Sequence, residues 1–163
     1  MTNEHLATYL NDHLAGSVAA IELLEHLEAA YAGNELERFF TELRNDIEAD
    51  RQELKRLMEQ LEIAQSRPRK AGAWIAGKFA ELKMRLDDSA DGPLRLLESL
   101  DAVELGITGK LALWQALIAA AEVAPALRGA LDYQRLARRA TEQIESVESR
   151  RLEAAKAAFT ELR

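Results

Sequence analysis

The chain has 163 residues, 48% of them hydrophobic and 30% charged, enough for one domain with a core and a charged surface and a composition that argues against disorder. It contains no cysteine, which removes disulfides, thiolate catalysis, iron–sulfur clusters and cysteine-based zinc sites. The net charge of −7 is unevenly spread: residues 1–65 carry 14 acidic and 5 basic side chains, 66–86 carry 1 and 6, and 87–163 carry 13 and 10. An acidic chain repels nucleic acid, and its short basic stretch lacks the interleaved aromatics of a single-strand binder, so no nucleic-acid partner is expected. The start, MTNEHLATYLNDHL, has no basic region followed by an apolar run of about 7 to 15 residues, as a secretory signal requires. No stretch reads as the roughly 18 to 20 apolar residues of a spanning helix. The expectation is a cytoplasmic protein without a transmembrane segment.

Three prolines and eight glycines in a chain rich in Ala, Leu, Glu and Arg predict long helices with short connections. Leu6, Leu10, His13, Ser17, Leu24, Leu27 and Tyr31 recur at helical spacing, with Ile21 beside them, and predict a first helix over about 3–31. Gly33 and Asn34 end it. Phe39, Phe40, Leu43, Ile47, Asp50, Leu54, Leu57 and Leu61 predict a second helix over about 35–64, and the short linker makes the two an antiparallel hairpin. A crossover follows. Within it Trp74, Ile75, Phe79, Leu82 and Leu86 form the apolar face of a short amphipathic helix over about 71–86. Pro93 opens a third helix over about 93–123, and Pro125 separates it from a fourth over about 127–161. That last stripe is read on Leu127, Leu131, Gln134, Ala137, Thr141, Ile144, Glu148, Leu152, Ala155 and Phe159. A connection of about 30 residues can span a bundle lengthwise, which lets the second and third helices run parallel.

Polar residues on apolar stripes are the informative ones, because a buried ionisable group is costly unless paired. Folding the first hairpin about residues 32–34 sets Ser17 opposite Asp50, with His13 within a turn and Asp46 adjoining; His13 with Asp50 is the expected buried pair. Folding the second hairpin near Pro125 sets Glu104 opposite Glu145, with Thr141 and Glu148 a turn away. These eight residues are expected to converge at mid-bundle as a polar centre or metal site.

Two long hairpins, a long crossover and mid-bundle carboxylates together resemble the ferritin-like superfamily of four-helix bundles over nearly the whole chain. The resemblance implies an all-α fold and, in members with a di-iron or di-manganese site, one Glu from each of two helices and Glu-x-x-His from each of the others. Glu104 fits the third-helix glutamate. The only histidines are His5, His13 and His26, all on the first helix, and none follows a glutamate by three.

The functional expectation is therefore a non-catalytic bundle that acts as a binding or interaction protein, has a buried polar network and needs no cofactor. The alternative is an iron- or manganese-binding oxidase with an altered ligand set drawn from His13, Asp46, Asp50, Glu104 and Glu145. A further alternative is a peripheral membrane or partner surface formed by Lys70, Trp74, Lys78, Phe79, Lys83 and Arg85. Gly106, Gly109 and Lys110 lack the spacing of a phosphate loop and read as a close-packing site. Arg135, Arg138, Arg139, Arg150 and Arg151 make the last helix basic, for charge balance against the acidic first hairpin or for self-association into a homo-oligomer.

Overall fold

The computed structural model describes residues 4–66, 77–81 and 92–160. Four long helices carry the fold: α1 (Glu4–Ala30), α2 (Glu35–Gln60), α3 (Gly92–Val123) and α4 (Tyr133–Ala158). Residues 77–81 are helical, and no strand occurs among the described residues. The rest of the expected 71–86 helix, including Trp74, Lys83 and Arg85, lies outside the described residues, as does Lys70.

Local chemistry sets where each helix stops. Gly33 takes a left-handed φ of +81°, which frees the chain to turn, and the Asn34 side chain caps α2 by accepting from the Leu36 N–H at 3.1 Å. Glu37 reaches back to accept from the Gly33 N–H at 2.6 Å, a variant of the capping box. At the other end of α2 the Glu62 N–H donates to the Glu59 carbonyl and the Ile63 N–H to the Met58 carbonyl. With Glu62 left-handed at φ 55° and Ile63 buried, this is a Schellman stop, and it ends α2 at Gln60, short of the expected 64. The fourth helix also starts later than expected. Pro125–Leu127 form a 3₁₀ turn, Gly129 has φ +74°, and Asp132 caps α4 by accepting from the Arg135 N–H at 2.9 Å.

α1 packs along α2 and α3 along α4, while α1 meets α3 more sparsely. Leu10, Leu23, Leu24 and Leu27 of α1, Phe40 and Leu57 of α2, Leu100, Ile107 and Trp114 of α3, and Leu136 and Val147 of α4 are the buried centre. Fully burying each such side chain is worth about 1.5–3 kcal/mol. Between the hairpins the ion pairs Glu35–Arg150, Asp46–Arg139 and Glu53–Arg135 join α2 to α4. Residue number rises along one partner as it falls along the other, so α2 and α4 are antiparallel. Because α3 is antiparallel to α4, α2 and α3 run the same way, as the length of the crossover suggested. The same ladder shows α4 balancing charge within the chain.

Helix α3 is apolar around most of its circumference. It contains an 18-residue window of mean hydropathy 1.2, long and apolar enough to cross a membrane by length and composition, of which 28% is buried. This corrects the sequence reading that no stretch has that character. The interruptions by Gly, Thr and a lone lysine hide a window whose average is apolar.

Asn11 closes the crossover's first residues onto α1. Its buried amide donates to the carbonyls of Ala7 and Ala64 at 2.9 and 3.1 Å and accepts from the Ser66 N–H at 2.8 Å. Two substitutions test these local devices by urea denaturation. Glu62→Gly should raise stability by about 1 kcal/mol, because glycine adopts the left-handed conformation without steric cost. Asn11→Ala should lower it by roughly 0.5–1.5 kcal/mol, because the Ser66 N–H and the Ala64 carbonyl lose a hydrogen-bond partner.

Candidate functional site

Asp50 projects from the middle of α2 with 1% of its side chain exposed. Lys110 of α3 meets its Oδ2 and at the same time donates to Gln143 Oε1 of α4. Gln143 Nε2 closes the triangle by donating to Asp50 Oδ2 at 3.2 Å. Arg139 Nε, also on α4, lies 3.4 Å from Asp50 Oδ1 and its guanidinium continues outward to the Asp46 carbonyl and carboxylate at 3.0 and 3.3 Å. Asp50, Lys110 and Gln143, one from each of three helices, therefore form a closed buried triangle, with Arg139 of α4 beside it. Burial lowers the Lys110 pKa from its ordinary 10.5, and the Asp50 carboxylate opposes that shift.

A second cluster forms where α3 and α4 face each other nearer the start of α3. Arg151 donates to Glu148 at 2.8 Å, Glu104 at 3.1 Å and Asp101 at 3.3 Å. Burial, reinforced by the adjacent Glu148, pushes the Glu104 carboxyl up, whereas the hydrogen bond from Arg151 holds Glu148 down. The three carboxylates raise the Arg151 guanidinium further above its usual value.

The eight residues expected at one mid-bundle centre are thus divided. Asp50 is at the centre. Glu104 and Glu148 belong to the Arg151 cluster. Asp46, Thr141 and Glu145 are exposed, Thr141 donating to the Ala137 carbonyl at 3.2 Å. Half-buried Ser17 donates to the Leu14 carbonyl at 2.6 Å. His13 is half-buried with its ring edge-on to Tyr9 at 4.6 Å, and burial lowers its pKa from 6.5 despite neighbouring Asp12.

The expected His13–Asp50 pair does not form, and helix register explains why. In the first hairpin Glu28 faces Arg44 and Tyr31 faces Phe40, numbers that total 72 and 71 rather than the expected 67. Asp50 is therefore level with about Glu22, nine residues from His13, or about 13 Å along the axis at 1.5 Å per residue. In the second hairpin Lys110 faces Gln143 and Glu104 faces Arg151, so Glu104 lies beyond Glu145. On α4 the expected stripe is one residue out of phase, because the 3₁₀ turn and Gly129 separate Leu127 from the helix that starts at Tyr133. The buried stripe is Tyr133, Leu136, Ala140, Gln143, Val147 and Ala154, while Leu152 and Phe159 are exposed.

These residues do not fit the di-metal site that the ferritin-like resemblance implies. Asp50 is already engaged by Lys110, Gln143 and Arg139, and Glu104 and Glu148 by Arg151. Among the described residues no group of three or more His, Asp or Glu side chains could hold a metal ion.

Beside the network lies a cleft of about 730 Å³ bounded by α1, α2, α3 and the 77–81 segment. Asp50 and Lys110 form part of its wall, with His13 and Ser17 on the α1 side and Trp114 on the α3 side. Phe79 is buried, and a Cβ on Gly106 would stand 3.2 Å from its ring tip. Gly106 thus accommodates this ring rather than a helix backbone. Of the expected membrane-facing residues, Phe79 docks on the bundle, while Lys78 is exposed and pairs with Glu81 at 3.6 Å.

Sequence reasoning missed Lys110, Arg139 and Gln143 as site residues. Lys110 is the only charged residue between Glu104 and Glu122, and a lone cation in an apolar helix is the signal that could have found it. No protein-family model matches the chain, and neither a curated protein nor a solved structure matches it significantly.

Lys110→Met should cost roughly 3–5 kcal/mol in chemical denaturation, because it leaves Asp50 buried beside fewer donors. The pH dependence has a definite sign. The folded-state pKa of Lys110 lies below the 10.5 of the unfolded chain, so between those values the unfolded chain holds a proton that the folded chain lacks. The stability of the wild-type protein relative to Lys110→Met should therefore rise with pH through the window that ends at 10.5 and level off above it.

Proposed function

We propose that this chain is a non-catalytic helical bundle of ferritin-like architecture, working in the cytoplasm as a binding protein, in which charged groups at the centre hold the helices rather than perform chemistry. The observation that carries this reading is that those groups face protein cations and amides: Lys110 and Gln143 donate to Asp50 Oδ2, Arg139 lies 3.4 Å from its Oδ1, which accepts no hydrogen bond, and Arg151 donates to Glu104 and Glu148. A general acid or base needs a group aimed at a reacting atom, and a catalytic metal needs open coordination positions. Here the carboxylates nearest the bundle centre are spent on protein donors. Parallel α2 and α3 support the ferritin-like reading of the topology. The cleft beside the network supports binding as the role, since its volume is that of a small-molecule site. In this reading α3 is a core helix, because Lys110 in its apolar window is held from two sides by α2 and α4.

Elemental analysis of protein produced with iron or manganese supplementation should find well under one ion per chain. Adding Fe(II), Mn(II) or Zn(II) should leave the melting temperature unchanged. Stoichiometric retention, or stabilisation of about 2.7 kcal/mol at a hundredfold excess over Kd, would overturn the non-catalytic reading in favour of an oxidase.

A further inference from the structure

Helix α3 turns outward a face that nothing among the described residues covers. Between Glu104 and Glu122 its only charge is Lys110, and that side chain is drawn inward to Asp50 and Gln143. The outward positions Leu105, Thr108, Ala112, Gln115, Ala119 and Val123 are exposed and uncharged. A helix face in contact with water ordinarily carries charged residues. These six follow one another at steps of three and four, the spacing of a seam between two packed helices. The small residues at its middle let a second helix approach closely, to about 8–10 Å.

A second, independent observation is where large apolar side chains emerge. Of the seven large hydrophobic residues left exposed among the described residues, five lie on α3, on α4 or at the α4 C-cap: Leu94, Leu105, Val123, Leu152 and Phe159. The two most exposed, Leu105 at 74% and Val123 at 85%, stand at opposite ends of the seam. An antiparallel copy of the same helix sets Leu105 against the copy's Val123, Thr108 against its Ala119 and Ala112 against its Gln115. Such self-complementarity is what a two-fold interface between identical chains requires.

Charge fits the same arrangement. On the outer side of α4, Arg138 and Glu145 are exposed and make no ion pair within the chain, whereas Arg135, Arg139 and Arg150 are paired with α2. Lys110 is level with Gln143 and Glu104 with Arg151, so the antiparallel register brings Arg138 within about one helical turn of the copy's Glu145. At the margin of the seam, Glu122 has the Arg128 guanidinium on its own carbonyl at 3.0 Å, so its charge does not stand alone. Helix α3 also has the length and mean hydropathy to cross a membrane. Beside its outward face, however, Arg138, Glu142 and Glu145 are exposed on α4, and a charged margin suits the wet rim of a protein contact rather than lipid.

We propose that the outer face of α3, flanked by α4, is the contact surface of a homodimer, in which a second copy of this chain packs antiparallel about a two-fold axis near Ala112 and Gln115. Leu105 and Val123 cover each other at both ends, and Arg138 pairs with the copy's Glu145 at two symmetric places. The seam is about 27 Å long and a helix face about 10 Å wide, so with the α4 margin each copy buries roughly 500 Å². A standard interface buries about 800 Å² per partner. The dimer is therefore reversible, with a dissociation constant of about 10–100 μM.

Sedimentation equilibrium of the full chain from about 5 to about 500 μM tests this, and should show a monomer–dimer equilibrium with its midpoint in that range. Ala112→Glu places two carboxylates together near the two-fold axis. Because the position is exposed and glutamate is a good helix former, the variant should keep the circular dichroism and urea midpoint of the wild type while dimerising more than about tenfold more weakly. Arg138→Glu and Glu145→Arg should each weaken the dimer about threefold or more. An equimolar mixture of those two variants should recover the wild-type affinity to within about twofold, because each then meets the opposite charge on the other. A chain that stays monomeric throughout, a dimer indifferent to Ala112→Glu, or a mixture that does not recover would each overturn the proposal. So would a monomer that pellets with phosphatidylcholine vesicles, which would make lipid the occupant of this face.

Discussion

Asp50 stands at the middle of α2 with its carboxylate removed from water, and a carboxylate so placed loses several kcal/mol of hydration. At an effective dielectric of about 20, a cation about 3 Å away returns about 5 kcal/mol. The two magnitudes are comparable, so the pair adds little net stability. Its effect is selective. Only arrangements that bring Lys110 and Gln143 to Asp50 avoid the uncompensated cost, and those residues lie on α3 and α4. The network therefore sets how the second hairpin docks on the first, while the leucine-rich seams within each hairpin supply the bulk of the burial energy.

The seam between α2 and α4 follows from that constraint. Its outer rungs, Glu35–Arg150, Asp46–Arg139 and Glu53–Arg135, are partly exposed, and each is worth about 1 kcal/mol or less. They extend in both directions from Asp50 along the same register. Arg139 belongs to both, touching Asp50 and Asp46. On the other side of the bundle α1 meets α3, the closest backbone approach between the two hairpins among the described residues. The cleft adjoins that contact, with Asp50 and Lys110 at its wall and Phe79 across one side. One docking geometry thus yields a ladder of ion pairs between α2 and α4 on one side and a direct helix contact between α1 and α3 on the other.

The hairpins, the parallel relation of α2 and α3 and the burial of Asp50 were legible because they rest on strong signals: long periodic stripes, few breakers, and an acid inside an apolar stripe. The partners of Asp50 were less legible, for physical reasons. Register within a hairpin depends on how many residues the turn consumes. A difference of about five in the paired numbers shifts the α1 position level with Asp50 by more than a helical turn, away from His13. On α4, the small buried residues Ala140 and Ala154 give a weak stripe, and exposed Leu152 and Phe159 give a competing one. Phase there is set by Gly129 and the Asp132 cap rather than by hydrophobicity, and a one-residue error exchanges Gln143 for its neighbours. Lys110 stands in the sequence as a lone charge needing a partner, a signal masked by the glycines beside it.

The central claim is that Asp50 and Lys110 act as one unit across the hairpin interface. A double-mutant cycle measures it directly: the stabilities of wild type, Asp50→Leu, Lys110→Met and the double variant by urea denaturation. A favourable coupling of about 2–3 kcal/mol is predicted, with the double variant more stable than Lys110→Met alone because no buried charge is left unpaired. Additive effects, with coupling within about 0.5 kcal/mol of zero, would contradict the claim that this pair governs how the two hairpins dock.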